Sequence, residues 1–198
     1  MTALPNLLTL ARVVLTPLIA VLILRGSYGP ALAWLAVAGV TDGLDGLLAR
    51  RFGWSSRAGA LLDPVADKVL LVTVYIAMAI AELVPGWLVI LVVGRDVLIL
   101  ACAGLAFLFT NVRSFPPSRW GKLSTLIQIL TGVLVIGSRA VGSASLVSYA
   151  AVMIVVTAVA TAWSGLDYGW RAALGLRAGR STRRGDARRP ARKPDPTR

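Results

Sequence analysis

The sequence predicts an all-α, polytopic membrane protein with six transmembrane helices and both termini cytoplasmic. Three observations carry that expectation. Of 198 residues, 57% are hydrophobic and only 15% are charged, against about 25% charged in an ordinary soluble domain. So few charges cannot cover a water-facing surface. Six apolar stretches, at about 6–25, 30–50, 59–81, 86–110, 122–138 and 145–164, approach the ~20 residues that cross a hydrocarbon core. They are apolar all round, so in lipid their backbone groups must be satisfied within the segment, as helix.

Each stretch has identifiable ends. The first stops at the run from Gly26 to Pro30, and the second at the basic connection from Arg50 to Arg57. Pro85-Gly86 separates the third from the fourth, and Pro116-Pro117 precedes the fifth. The connection 51–58 is short, which predicts that the second and third helices are antiparallel neighbours. An even number of spans puts both termini on one side. That side holds Arg50, Arg51 and Arg57, then Arg113, Arg119 and Lys122, while the other has little beyond Arg25 and Arg139. The basic side is therefore expected to be cytoplasmic.

The net charge is +12, and 10 of the 21 basic residues follow Trp170. Residues 1–170 read as the membrane domain. Residues 171–198 read as a basic, disordered cytoplasmic tail, because they are rich in Arg, Pro and Gly and poor in large apolar residues. Such a tail beside a span points to anionic lipid headgroups as partners and not to nucleic acid. The N-terminus lacks a charged n-region and a cleavage site, so no processing is expected. There is no histidine and one cysteine, Cys102. Histidine catalysis, histidine-ligated metal and an intramolecular disulfide are excluded, and carboxylates are left as the hard-metal ligands.

Four of the nine acidic residues fall in one otherwise apolar window, TDGLDGLLARRFGWSSRAGALLDPVADKVLL. Asp42 and Asp45 are three apart, and Asp63 and Asp67 are four apart, so each pair shares a helical face. Four bare carboxylates at membrane depth would each cost about 2.5 kcal/mol or more. Divalent cations are the natural compensation. All-oxygen ligation favours Mg²⁺ or Mn²⁺ over zinc, and two ions suit displacement at phosphorus. Gly46 and Gly59 open space for a nucleotide or for a close helix. Arg50 could pair with phosphate or anchor the interface.

The same window carries D-x2-D-G-x2-A-R-x8-G-x3-D-x3-D complete, filled by Asp42, Asp45, Gly46, Ala49, Arg50, Gly59, Asp63 and Asp67. In this it resembles the CDP-alcohol phosphotransferase family. The resemblance extends through PNLLTLARVVLTP and SRWGKLSTLIQI, over roughly residues 5–165. It implies a six-helix, commonly homodimeric enzyme of the cell (inner) membrane, with its active site facing the cytoplasm. It implies that Asp42, Asp45, Asp63 and Asp67 bind metal, and that Gly46, Ala49, Arg50 and Gly59 line the CDP site. Asp67 would be the base for transfer of a phosphatidyl group from CDP-diacylglycerol to a small alcohol or lipid acceptor, with CMP leaving. A scaffold, or a transporter using the aspartates for ion coupling, is the alternative of another class.

The acceptor is less legible. Arg95, Arg113, Arg119 and Lys122 are candidate contacts for an acceptor phosphate, with Arg95 flagged because arginine inside a span is functional by default. Arg95 could instead pair internally with Asp96. The opening segment and ARRFGWSSRAGALLDPVADKVLL resemble the family's phosphatidylglycerophosphate synthases, which implies glycerol 3-phosphate as acceptor. The Arg95-Asp96 pair is similar to that of its cardiolipin synthases, which implies phosphatidylglycerol.

Overall fold

Each of the six apolar stretches becomes one helix. The computed structural model describes the backbone of residues 3–52, 57–109 and 119–186, and side chains over 12–41, 66–99 and 120–170. The helices are α1 Ala3–Leu24, α2 Tyr28–Phe52, α3 Arg57–Ile80, α4 Gly86–Phe109, α5 Arg119–Val141 and α6 Ala144–Asp186. The described residues contain no strand.

Tight turns join the helices at one end of the bundle. Gly26 (φ 72°) and Gly142 (φ 69°) take the left-handed conformation that ends α1 and α5, a state open to glycine without a Cβ clash. The Ser27 amide reaches back to the Leu22 carbonyl at 2.9 Å. The α3–α4 turn has the same geometry with a residue less suited to it, since Glu82 sits at φ 57°. There the Leu83 amide donates to the Met78 carbonyl at 2.8 Å. Helix α6 continues through Asp186, past Trp170, where the sequence places the start of the tail. Residues 187–198 lie outside the described residues.

Packed neighbours run α1–α2, α2–α5, α5–α6, α6–α4, α4–α3 and α3–α1, which closes a ring, and α3 also meets α5 across it. Among the described residues α2 and α3 do not form a substantial interface. The expected pairing concerns their ends at 42–52 and 57–65, whose side chains lie outside the described residues. Helix α1 packs on both helices.

The distribution of polarity is inside out. Ile19, Ile23, Tyr75, Met78, Leu88 and Ile136 form an apolar centre, but Ser124, Gln128, Thr131, Thr157, Thr161 and Ser164 are equally buried. Large apolar side chains face outward instead, with Ile90 at 75% and Leu166 at 71% exposure. Among the described residues, two helices are long and apolar enough to cross a membrane by themselves, Trp120–Val141 and Ala144–Trp170. Only 17% of the second is buried inside the protein, the reverse of a soluble core helix. The solvent for this surface is lipid.

Buried hydroxyls join α5 to α6. Thr131 and Thr157 share a hydrogen bond of 2.7 Å, and the Gln128 amide donates to Thr161 Oγ1 at 3.0 Å. The Tyr75 hydroxyl, from α3, donates to the Gln128 carbonyl at 2.9 Å. Such bonds between membrane helices average about 0.6 kcal/mol, because the unfolded chain in lipid also finds partners. Thr131→Val is expected to lower stability by about that amount, measured by thermal unfolding in detergent. A loss above about 2 kcal/mol, beyond the range of such bonds, would show the seam to be a dominant element of the fold.

Candidate functional site

Helix α3 carries two consecutive charged residues into the bundle, and each meets its opposite on a different neighbour. Residues one apart lie about 100° apart round a helix with 3.6 residues per turn, so the two turn toward different neighbouring helices. Asp67 pairs with Arg12 of α1. Arg12 is 3% exposed and the Asp67 side chain 48%, so the arginine is sealed behind the carboxylate and the carboxylate faces open space. Lys68 Nζ donates to Asp96 Oδ2 of α4 at 2.6 Å.

Asp96 is shared. Its other oxygen accepts from Arg95 Nη1 at 2.6 Å, so one buried carboxylate neutralises part of two cations. The rest of the Arg95 guanidinium is engaged by α5 and α6. Nη2 and Nε reach Ser164 Oγ at 2.8 and 3.3 Å, and Nη2 lies 3.4 Å from the Gly121 carbonyl. The guanidinium also stands 5.8 Å from the centre of the Tyr168 ring, within cation–π range. A Cβ at 121 would fall 3.0 Å from Arg95 Nη2 and 3.1 Å from the Tyr168 ring, so any larger residue there would push on both side chains.

Beside this cluster a groove of about 1030 Å³ opens between α4 and α6, with Gly94, Arg95 and Gly165 among its walls and Leu98, Leu166 and Trp170 along its length. Trp120 and Trp163 meet edge-to-face there, with ring centres 6.3 Å apart.

Of the residues singled out in the sequence, Asp67, Arg95 and Lys122 have described side chains. Asp67 and Arg95 both belong to the charged layer, and Lys122 is exposed on the first turn of α5. Asp42, Asp45, Gly46, Ala49 and Arg50 lie on α2, Gly59 and Asp63 on α3, and Arg119 opens α5, but their side chains lie outside the described residues. Arg113 lies outside them altogether. Among the described residues no three candidate ligands gather into a metal-binding group; three of the four signature aspartates are not among them. The sequence reading missed Arg12 and Lys68. The rule that flagged Arg95, a charge inside an apolar stretch, would have found both.

The family model for CDP-alcohol phosphatidyltransferases matches residues 2–163. The chain belongs to the CDP-alcohol phosphatidyltransferase family. Members of this family of membrane lipid-synthesis enzymes generally use divalent metals. A relative from Mycobacterium tuberculosis, described as a probable phosphatidylglycerophosphate synthase, is 33% identical over 179 residues, which is 85% of this chain and 81% of that protein. A probable CMP-forming cardiolipin synthase from Drosophila melanogaster is 40% identical over 121 residues, 60% of this chain. The cardiolipin synthase of Rattus norvegicus is 40% identical over 116 residues, 58% of this chain. The matched region spans only 36% and 37% of these last two proteins.

Removing one partner of a buried ion pair leaves an uncompensated charge, at about 3–5 kcal/mol. Asp96→Ala is expected to destabilise the protein by that order, because Arg95 is 6% exposed. Adding Arg95→Met should recover much of the loss in a thermal unfolding series. If the double variant is no more stable than Asp96→Ala alone, the pair is not what Asp96 stabilises.

Proposed function

We propose that this chain transfers the phosphatidyl group of CDP-diacylglycerol to an alcohol and releases CMP. The observation that carries this reading is the complete eight-position signature from Asp42 to Asp67 in a chain of this family. Its last aspartate is half exposed and braced from behind by Arg12.

On this reading Asp67 accepts the proton of the acceptor hydroxyl as that oxygen attacks the phosphorus bearing the diacylglycerol, and the bond to the CMP oxygen breaks. Arg12 holds the carboxylate in place for that transfer. Gly46, Ala49, Arg50 and Gly59 line the CDP site. The donor set is four carboxylates without nitrogen or sulfur, which suits hard cations. Asp42, Asp45, Asp63 and Asp67 would hold one or two Mg²⁺ or Mn²⁺ ions, which supply charge neutralisation at the pyrophosphate when bound. Positioning and charge compensation account for most of the rate in such a reaction.

The six helices all cross the cell (inner) membrane with the signature at the cytoplasmic face. The outward apolar faces of α1 to α4 support this, since Val14, Val40, Ile80 and Ile90 are all over 60% exposed. The enzyme works as a homodimer, and the basic segment after Trp170 is drawn to anionic headgroups.

Glycerol 3-phosphate is the acceptor on our first reading, supported by the relative that matches nearly all of both chains. Phosphatidylglycerol is the second. It is favoured by one observation: Arg95 is already neutralised by Asp96 and lies beside an apolar groove.

Purified protein in lipid nanodiscs should release CMP from CDP-diacylglycerol only with a divalent metal, with EDTA abolishing and Mg²⁺ or Mn²⁺ restoring it. Full turnover in chelator would sink the mechanism. Offering glycerol 3-phosphate and phosphatidylglycerol separately decides the acceptor. Asp67→Asn should reduce turnover by about 10²-fold or more, the scale of a lost general base, while CDP-diacylglycerol still binds. Loss of that binding would make Asp67 chiefly a ligand.

A further inference from the structure

We infer that Lys68, held in place by Asp96, is the residue that binds the phosphate of the acceptor. This rests on the transferase reading and adds to it a residue outside the eight-position signature.

Lys68 and Arg95 share the Asp96 carboxylate, each at 2.6 Å, so the three side chains together carry one positive charge. The two cations are not equivalent. Arg95 is 6% exposed and its donors are taken by Asp96, Ser164 and the Gly121 carbonyl. Lys68 gives Asp96 one of the three donors an ammonium has, and its side chain is 41% exposed. The positive charge of the cluster is therefore presented at Lys68. Asp96, 10% exposed and pinned by Arg95, acts as the positioning residue that holds the ammonium there.

Lys68 also follows Asp67 directly in the chain. Adjacent residues on a helix do not face each other. Here Asp67 turns toward α1 and Lys68 toward α4, so the two side chains can flank a small molecule lying against α3. The acceptor must bring a hydroxyl to Asp67. In both candidate acceptors a three-carbon glycerol unit separates that hydroxyl from a phosphate, which would lie at Lys68. The recognised group is this phosphate: a monoester in solution, or the diester of a lipid headgroup.

The test uses the full chain in nanodiscs with Lys68→Met, which keeps an apolar stem, and Lys68→Arg, which restores the charge. CMP release is followed against acceptor concentration in two arms, glycerol 3-phosphate in solution and phosphatidylglycerol in the bilayer. In the arm that the native enzyme uses, Lys68→Met should raise the acceptor KM about tenfold or more, the scale of one lost charge-assisted hydrogen bond. The KM for CDP-diacylglycerol and the kcat at saturating acceptor should stay within about twofold on the same reasoning, and Lys68→Arg should recover most of the loss. An unchanged acceptor KM, or an equal rise for both substrates, overturns the inference. If the native protein releases no CMP with either acceptor, the transferase reading fails on its own. Binding then decides Lys68: glycerol 3-phosphate by calorimetry and retained phosphatidylglycerol by native mass spectrometry should both be unchanged if Lys68 has no such role, and the bound one should weaken in Lys68→Met if it has.

Discussion

A buried charge must find its opposite within the protein, and the interior of this bundle is arranged around that requirement. An unpaired ionised side chain at membrane depth costs about 2.5–3.5 kcal/mol on insertion scales, several times the ~0.6 kcal/mol of a hydrogen bond between membrane helices. The hydroxyl contacts of α5 and α6 therefore tune the packing, while the ion pairs decide which helices must be adjacent. Arg12 with Asp67 fixes α1 on α3, and Lys68 with Asp96 fixes α4 on α3. Through Arg95 the same layer reaches Ser164 of α6 and Gly121 of α5. Five of the six helices are tied by one connected set of polar contacts and one ion pair beside it.

This has a consequence for catalysis. Helix α3 carries Asp63 and Asp67 of the signature, and it is gripped from both flanks at the level of Asp67. A reaction that depends on placing carboxylates around a pyrophosphate gains most from a rigid carrier, since misplacement by about 1 Å can cost 10²-fold. On the transferase reading, the same charge compensation would also supply the preorganisation that the chemistry needs. The sealed face of Arg12 adds to this: the side chain of Arg12 is 3% exposed while that of Asp67 is half open, so the arginine braces the carboxylate from its buried side.

Local features were legible in the sequence and spatial ones much less so. The ends of α2, α3 and α4 fall within about two residues of the expected spans, because Gly, Pro and charge punctuate an apolar chain plainly. The signature pairs could be placed on helical faces from spacing alone. Which helix packs against both α2 and α3 was not legible, because it depends on packing at long range, and α1 takes that place. The extension of α6 was likewise hidden, since a basic, Gly- and Pro-containing segment has the composition of a disordered tail. Arg95 was recognisable as important, but its partners on α5 and α6 are 26 and 69 residues away, beyond any local pattern. Lys68 was overlooked because it sits inside the motif window without being one of its fixed positions.

Charge arithmetic narrows the acceptor question further on the transferase reading. Lys68, Asp96 and Arg95 sum to one positive charge, enough to balance the single negative charge of a phosphodiester. A phosphomonoester carries about −1.5 to −2 near neutral pH and needs a second cation. Among the described side chains the candidate is Lys122, exposed on the first turn of α5, next to the Gly121 whose carbonyl Arg95 reaches. The two acceptors therefore make different demands on the same layer. On this reading a diester is satisfied by the charges of α3 and α4 alone. On the same reading a monoester would draw on Lys122 of α5 as well. On the transferase reading, specificity would then turn on whether the start of α5 contributes its charge, while the signature aspartates would serve either acceptor.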